Sequence, residues 1–222
     1  MIKAVIFDMY ETLITHYDSP LYFSMHMAAD AGISVEEFQS FWMPTDTERT
    51  IGLLSFEDAI HDILIKTNRY SDELLNNMTE KRYAIKRDCF EHLHAGIIPM
   101  LEKLKAQRIK IGLISNCFSE EAIVIRESVL FPYFDAVYMS YEQGTKKPDP
   151  EIFLRCMNEL QVEAEECIFV GDGGSHELEA SSALGMKSLQ AVWYLKEGTL
   201  HRIKPMAEYD HLRTPDELFH YI

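Results

Sequence analysis

The sequence predicts an α/β protein with a parallel sheet and an inserted helical domain. Beyond residue 92, short apolar runs typical of buried strands alternate with helical segments. This order favours a parallel sheet that is covered by helices on both faces. Between residues 19 and 89, by contrast, the patterns are helical and no convincing strand is found. The helical stretch therefore interrupts an α/β core.

The first element is the apolar run at residues 2–7, which is typical of a buried strand and ends on Asp8. No other strand lies near it in the sequence, so it must pair with strands that come much later. We therefore expect an α/β core made of residues 1–14 and 92–222. Residues 15–91 would form a helical cap.

Helix start signals divide this cap into four amphipathic helices. Ser19 followed by Pro20 predicts the start of the first helix, and Gly32 predicts its end. Serine N-caps followed by acidic residues predict the other three starts, at Ser34, Ser55 and Ser71. Four successive amphipathic helices are typical of a small bundle.

The core elements follow in alternation. Strands are predicted at residues 110–114, 136–140, 167–170 and 186–193. Helices are predicted at residues 98–106, from Ser119, at 150–160, at 176–184 and from Thr214. Helices of this length between short strands indicate parallel crossovers.

Polar residues follow three of the predicted strands. Asp8 ends the first strand, Ser115 and Asn116 follow the second, and Asp172 follows the strand at 167–170. A turn just before the helix at 150–160 adds Lys147. Because ligands of open parallel sheets bind at the carboxyl ends of strands, we expect these side chains to form one site.

Composition limits the class of partner. The chain of 222 residues has a formal net charge of −15, which argues against nucleic acid and against an anionic membrane surface. A small anionic substrate would need local positive charge. No run reaches the roughly 18 apolar residues of a membrane span, and no secretory signal is recognisable. Together with four scattered cysteines, this predicts a cytoplasmic protein.

The motifs Asp8-Met9-Tyr10-Glu11-Thr12, Ser115-Asn116, Lys147-Pro148 and Gly171-Asp172 resemble, in order and spacing, those of the haloacid dehalogenase (HAD) superfamily. The resemblance implies a Rossmann-like HAD core with an inserted four-helix cap. Most members of the superfamily are Mg²⁺-dependent phosphohydrolases.

The resemblance also implies a role for each site residue. Asp8 would be the nucleophile, and Thr12 would support its loop. Ser115, Asn116 and Lys147 would bind the transferring group. Mg²⁺ would be held by Asp8, the main-chain carbonyl of Tyr10 and Asp172, ligands of the type this ion prefers. Glu177 is a weaker candidate for the metal site.

Tyr10 departs from the commonest pattern, because an aspartate usually stands there as the general acid and base. Tyrosine, with an ordinary pKa of about 10, is a poor substitute. Three functions therefore remain open. The first is a Mg²⁺-dependent phosphatase of a small phosphate monoester, and the second is a 2-haloacid dehalogenase, in which halide leaves without a proton. The third is a non-catalytic binding protein that retains the fold.

The cap would close over the site as a lid and select the substrate. Arg49, in a polar stretch of the cap, is a candidate for binding a substrate anion. Tyr10 is another candidate for contact with the substrate. His16 and Tyr17 follow the first motif closely, but no ligand spacing is found, so we favour surface positions for them over the mouth of the site. Oligomeric state cannot be read from the pattern.

Overall fold

The computed structural model describes residues 1–195 and 203–222. Within these residues the core contains one parallel sheet of six strands in the order β3-β2-β1-β4-β5-β6. The strands are β1 Ala4–Phe7, β2 Lys110–Ser115, β3 Ala136–Met139, β4 Cys167–Gly171, β5 Lys187–Ala191 and β6 Asp210–Leu212. The predicted α/β class with a parallel sheet is confirmed.

Strand β1 lies at the centre of the sheet. It is fully buried and pairs with β2 on one side and with β4 on the other, so that Phe7 lies opposite Leu113 and Val170. After β1 the chain adds β2 and β3 on one side of it, and then returns to add β4, β5 and β6 on the other side. This makes the carboxyl end of β1 the topological switch point, where ligands of such sheets bind.

Alternate residues of β1 pack on opposite faces of the sheet, as the two-residue period of a strand requires. Val5 and Phe7 belong to one apolar cluster, and Ala4 and Ile6 belong to another. The long core helices that cover these faces are α6 Ile97–Ala106, α7 Ser119–Glu127, α9 Pro150–Leu160 and α10 Glu177–Ala183, with the short α8 Ser140–Gln143 following β3.

The segment predicted to form the cap, residues 15–91, has a separate apolar cluster, which includes Phe38, Trp42 and Phe56. Its helices are α1 Ser24–Ala31, α2 Val35–Trp42, α3 Asp46–Thr50, α4 Phe56–Lys66 and α5 Asp72–Asp88. Four of these have eight or more residues, and α3 is a short fifth helix.

The predicted helix signals of the cap are largely confirmed. The hydroxyl oxygens of Ser34, Ser55 and Ser71 each accept a hydrogen bond from a backbone N–H in the first helical turn. Gly32 ends α1 in the left-handed conformation, with φ of 67°. The start of α1 was predicted too early, because the chain stays extended to Phe23, whose backbone N–H donates to the side chain of His26.

Two features near the carboxyl terminus differ from the prediction. Strand β6 was not predicted, because Asp210–Leu212 contains one apolar residue and no alternating run. The closing helix at Pro215–His220 is a 3₁₀ helix rather than an α-helix. Among the described residues no helix has both the length and the apolar character that a bilayer crossing needs.

Candidate active site

Asp8 lies at the carboxyl end of β1, where the sheet holds its backbone in place. Its N–H donates to the carbonyl of Val170 at 2.9 Å. Its side chain is almost fully buried and uses a single oxygen for two contacts. Oδ1 accepts from the N–H of Met9 at 2.7 Å and lies 2.6 Å from Nζ of Lys147. Oδ2 is left for other chemistry.

Asp8 belongs to a cluster of three buried carboxylates and one lysine, which we call the catalytic cluster: Asp8, Asp172, Glu177 and Lys147. One oxygen from each carboxylate lies within 4.8 Å of the others. Burial raises the pKa of Asp8 to about 6, against the lowering effect of Lys147. Burial, Glu177 and Asp8 raise the pKa of Asp172 well above its usual value. The carboxylates of the cluster therefore outnumber its one cation, Lys147, which cannot balance them all.

Glu177 organises the loop that follows β4. Its two oxygens accept hydrogen bonds from the backbone N–H groups of Gly173 and Ser175, each at 2.7 Å. It also packs against Gly171, where a Cβ atom would lie 2.7 Å from Oε1. Gly171 is thus required by the close approach of the carboxylate, and Glu177 fixes the backbone around Asp172.

Asn116 fixes the lysine loop in a similar way. Its amide nitrogen donates to the carbonyl of Lys147 at 3.0 Å, and its amide oxygen accepts from the N–H of Lys147 at 2.8 Å. The two-point contact joins the loop after β2 to the turn before α9. Burial lowers the pKa of Lys147, but Asp8 and Glu177 outweigh it and raise the pKa. Lys147 is therefore held as a cation.

Two hydroxyl groups lie buried near these loops without a partner among the described residues. Ser115 and Thr12 are both fully buried, and neither side-chain oxygen has a hydrogen bond there. The backbone of Thr12 is fixed, because its carbonyl accepts from the indole N–H of Trp193 at 2.8 Å. Buried hydroxyls without partners are uncommon in folded proteins.

The side chain of Tyr10 is unsuited to proton transfer. Its ring stacks on His16, with centroids 4.4 Å apart and planes 16° from parallel. Its hydroxyl is buried and has no hydrogen-bond partner in the described chain. Burial, followed by the charge of Glu121, raises its pKa well above the ordinary value. Tyr10 therefore remains a neutral phenol at physiological pH.

Glu11, the residue between Tyr10 and Thr12, folds back onto the chain. Its backbone has a φ of 58°, a left-handed conformation that is unfavourable for a residue with a Cβ atom. Its carboxylate accepts from the hydroxyl of Thr15 at 2.5 Å and from the backbone N–H of His16 at 2.9 Å. Its Oε1 also lies 3.1 Å from Nδ1 of His16. These contacts hold His16 beside the site.

Arg49 lies inside the cap. Its guanidinium stacks between the rings of Trp42 and Phe118, 3.4 Å and 4.4 Å from their centroids. It donates to the carbonyl of Trp42 at 3.0 Å and to the hydroxyl of Thr45 at 3.1 Å. The side chain is fully buried, and it is not among the residues that line the cavity at Asp8.

Two adjoining cavities of about 290 Å³ each lie between the core and the cap. The catalytic cavity has walls that include Asp8, Tyr10, Glu11, Asn116, Lys147 and Asp172. The cap cavity has walls that include Trp42, Arg82, Lys86, Phe118 and Glu121. His16 and Phe23 line both cavities and Tyr17 lines the catalytic one, so His16 and Tyr17 lie at the site, contrary to the surface positions favoured from the sequence.

The sequence analysis missed a second cluster of buried charge, which we call the interface cluster: Arg82, Lys86, Glu120 and Glu121. The arginine lies 2.9 Å from Glu120 and the lysine 2.5 Å from Glu121, so helix α5 of the cap is joined to helix α7 of the core. The available signal was the spacing of Arg82 and Lys86, which places both on one face of α5.

Comparison with known proteins agrees with this geometry. The family model for haloacid dehalogenase-like hydrolases matches residues 2–185. A phosphorylated carbohydrates phosphatase from Thermotoga maritima is 27% identical over 215 residues, which cover 91% of this chain and 94% of that protein.

Two solved structures share the fold over nearly their whole length. A 2-haloacid dehalogenase from Pseudomonas syringae pv. Tomato DC3000 has a TM-score of 0.71 and 21% identity, covering 99% of this chain and 97% of that chain. A HAD phosphatase from Thermococcus onnurineus has a TM-score of 0.63 and 23% identity, with the same coverage of both chains.

The family match extends from β1 to the end of α10, so it spans both carboxylate loops, the lysine turn and the helical insert between them. Sequence and architecture thus lead to one conclusion. This chain belongs to the haloacid dehalogenase-like hydrolase family.

Proposed function

We propose that this hydrolase is a Mg²⁺-dependent phosphatase that acts on a small phosphate monoester through an aspartyl-phosphate on Asp8. The observation that carries the proposal is the catalytic cluster, in which three buried carboxylates face one lysine. A dehalogenase that handles halide needs no such excess of buried carboxylate. The phosphatase named among the relatives also favours phosphatase over dehalogenase.

The donor set fits Mg²⁺. This ion prefers carboxylate and carbonyl oxygens and uses few protein ligands. Asp8 and Asp172 are buried, and their raised pKa values reflect carboxylates in need of a cation. The carbonyl of Tyr10 would complete the set. Glu177 would position the loop that carries Asp172 without binding the ion, because both of its oxygens already accept backbone hydrogen bonds. When bound, the ion would neutralise charge on the substrate phosphate.

The residues of this chain account for the phosphoryl transfer as follows. Oδ1 of Asp8 is occupied by Met9 and Lys147, so Oδ2 attacks phosphorus. The bond to the leaving oxygen breaks, and that oxygen departs with the electron pair and takes a proton from solvent. Water then attacks phosphorus and loses a proton to solvent, while the bond between phosphorus and Oδ2 breaks; this releases phosphate and restores the Asp8 carboxylate.

Lys147, Ser115, Asn116 and Thr12 support this reaction in different ways. Lys147 balances the charge of nucleophile and phosphate. The buried hydroxyls of Ser115 and Thr12 lack partners in the described chain, and a phosphoryl group would supply one for Ser115. Asn116 holds the lysine loop. Because Tyr10 cannot protonate the leaving oxygen, esters with good leaving groups should react best.

The cap, residues 15–91, acts in this proposal as a lid that excludes water and selects the leaving group. Arg49 stabilises the aromatic wall of the cap and contributes positive charge there, without direct contact at the nucleophile. The substrate is a small phosphorylated compound, and a phosphorylated carbohydrate is one class to screen. The four free, buried cysteines suit the cytoplasmic location that we infer.

The test is hydrolysis of p-nitrophenyl phosphate with Mg²⁺ and with EDTA. We expect metal-dependent release of phosphate that is lost in Asp8→Asn and retained in Asp62→Asn, a change of the same chemistry at an exposed position of α4. Equal rates in Asp8→Asn and wild type would exclude Asp8 as the nucleophile.

A 2-haloacid dehalogenase is the second candidate, and the observation that favours it is Tyr10. Halide departs without protonation, so a phenol at this position would be harmless. Halide release from 2-chloropropionate that is insensitive to EDTA, with no phosphate release, would establish it. If neither activity is found, Tyr10→Asp would restore a carboxylate at the acid–base position, whose loss typically costs about 10²–10⁴-fold in rate.

A further inference from the structure

The cap cavity differs in charge from the rest of this acidic chain. Its charged wall residues are Arg82, Lys86 and Glu121, all of them buried. Glu120 lies behind Arg82 at 2.9 Å. Arg49 lies behind the aromatic wall, with Nη1 lacking a partner among the described residues. Three buried cations and two buried carboxylates therefore surround this cavity, and the exposed carboxylate of Asp46 lies 3.7 Å from Arg49.

Lys86 is the cation best placed to act on a ligand. Its ammonium group has three hydrogens and can only donate. Nζ of Lys86 lies 2.5 Å from Oε1 of Glu121 and 2.6 Å from Nε2 of His16, so two of the three hydrogens have acceptors. In this arrangement Nε2 of His16 accepts from Lys86, and Nδ1 of His16 lies 3.1 Å from Oε1 of Glu11. The third ammonium hydrogen of Lys86 has no protein acceptor in the described residues.

The cap cavity is also where a leaving group would lie. His16 and Phe23 form walls of both cavities, so a chain attached to phosphorus at Asp8 passes these residues and enters the cap cavity. A third cavity, of about 400 Å³, meets the catalytic one at Asn116 and Lys147. Its walls include the exposed Pro148 and His176, so it opens to solvent. The wall of the cap cavity, by contrast, contains the buried charges of Arg82, Lys86 and Glu121.

We propose that the leaving group of the substrate carries a second anionic group, such as a carboxylate, which is bound by Lys86 in the cap cavity. The substrate class is therefore a phosphorylated acid, and Lys86 is a residue that determines specificity. This inference rests on the proposed function only in placing the phosphoryl group at Asp8. A carboxylate accepts the free hydrogen of Lys86 and forms a charge-assisted hydrogen bond with this buried cation.

The test uses two compounds that differ only in the anionic group, 3-phosphoglycerate and glycerol 3-phosphate. Binding is measured by titration calorimetry with Mg²⁺ and the Asp8→Asn protein, which binds without turnover. We expect 3-phosphoglycerate to bind roughly 10-fold to 100-fold more tightly, since a charge-assisted hydrogen bond contributes on that scale. Lys86→Gln in the same background should remove the preference.

Arg87→Gln is the matched control. It removes the same charge one residue further along α5, where Arg87 is exposed and pairs with Glu127 at 3.0 Å, and it should leave the preference intact. Glu121→Gln gives a change in the opposite direction. It removes a carboxylate from the cavity wall and should strengthen the preference, and it decides the matter if Lys86→Gln does not fold.

Equal affinity for the two compounds, or weak binding of both, would overturn the inference. So would an equal loss of affinity for both compounds in Lys86→Gln, because that is the result of a merely structural role. Hydrolysis by the wild-type enzyme is measured separately. Preferential binding without any hydrolysis would contradict the proposed phosphatase but support the anion site. Hydrolysis without a preference in binding would support the phosphatase and contradict the anion site.

Discussion

The two buried clusters of charge in this protein differ in balance. The catalytic cluster has three carboxylates and one lysine, whereas the interface cluster has two carboxylates and two cations. In the first, burial raises the pKa of Asp8 to about 6. In the second, Lys86, His16 and Arg82 outweigh burial and hold the pKa of Glu121 well below its usual value, whereas burial raises the pKa of Glu120.

This difference separates a cluster whose carboxylates need a further cation from one in which each carboxylate already has a cation beside it. Buried charge is costly unless it is paired. The interface cluster pairs its own charges and joins the cap to the core. The catalytic cluster cannot do so, and a perturbed, unbalanced set of ionisable groups in a cleft is typical of functional sites. The excess of carboxylates in the catalytic cluster therefore marks where a metal ion would bind.

The largest effect should come from breaking the interface cluster. Arg82→Met leaves Glu120 buried without its closest cation and should lower the free energy of unfolding by roughly 3–5 kcal/mol. Urea denaturation of the variant and the wild type gives the value. Adding Glu120→Gln to Arg82→Met should recover part of the loss, because the unpaired charge is removed. A loss below about 1 kcal/mol would mean that the cluster is not paired as described.

Weakening the catalytic cluster should affect activity rather than stability. Asp172→Asn removes a carboxylate that we assign to the metal. Changes even to the partners of metal ligands cost about 10-fold to 100-fold, so we expect at least a 100-fold loss. The measurement is the Mg²⁺ dependence of phosphatase activity, with the exposed Asp62→Asn as control. An unchanged Mg²⁺ requirement in Asp172→Asn would remove this residue from the metal site.

The pH dependence of stability should reveal the unbalanced charge in metal-free protein. The pKa of Asp8 rises from 3.8 to about 6 on folding. Between these pH values the folded chain holds a proton that the unfolded chain has released, so stability falls as pH increases. From pH 4 to pH 7 we expect Asp8 to contribute a loss of roughly 1–3 kcal/mol.

Asp8→Asn lacks this group and isolates its contribution. The stability of the wild type relative to Asp8→Asn should therefore fall across the same pH range. Mg²⁺ should restore the wild type above about pH 6, where the Asp8 carboxylate is ionised. A difference that does not change with pH, or that rises with pH, would contradict the account of the catalytic cluster.

The smallest effect should come from the exposed pair Arg87–Glu127, which also joins α5 to α7. Surface ion pairs contribute between about 0 and 1 kcal/mol, because water screens both charges. Arg87→Gln should therefore change the free energy of unfolding by less than about 1 kcal/mol. A larger loss would show that contact between these helices, and not burial of charge, controls their stability.

The central strands could be predicted because their signals are local. β1 and β4 are continuous apolar runs that are followed directly by Asp8 and Asp172, and β2 has an apolar centre and ends at Ser115. The rule that parallel strands present their carboxyl ends at one edge then assembled the site without further information. β6 was missed because an edge strand of three residues has no apolar pattern.

The interface cluster could not be predicted, because pairing across 38 residues of sequence leaves no local signal. Arg82 and Lys86 have the spacing of a solvated helix face, and Glu120 follows a helix start, where acidic residues are common. The left-handed backbone of Glu11 was equally hidden. Only the folded chain shows that these residues meet beside His16.

Calorimetric titration of Mg²⁺ into metal-free protein at neutral pH tests the contrast between the two clusters most directly. The account predicts one Mg²⁺ site in the wild type, loss of that site in Asp172→Asn, and its retention in Glu120→Gln. Absence of Mg²⁺ binding in the wild type, or equal binding in Asp172→Asn, would contradict it.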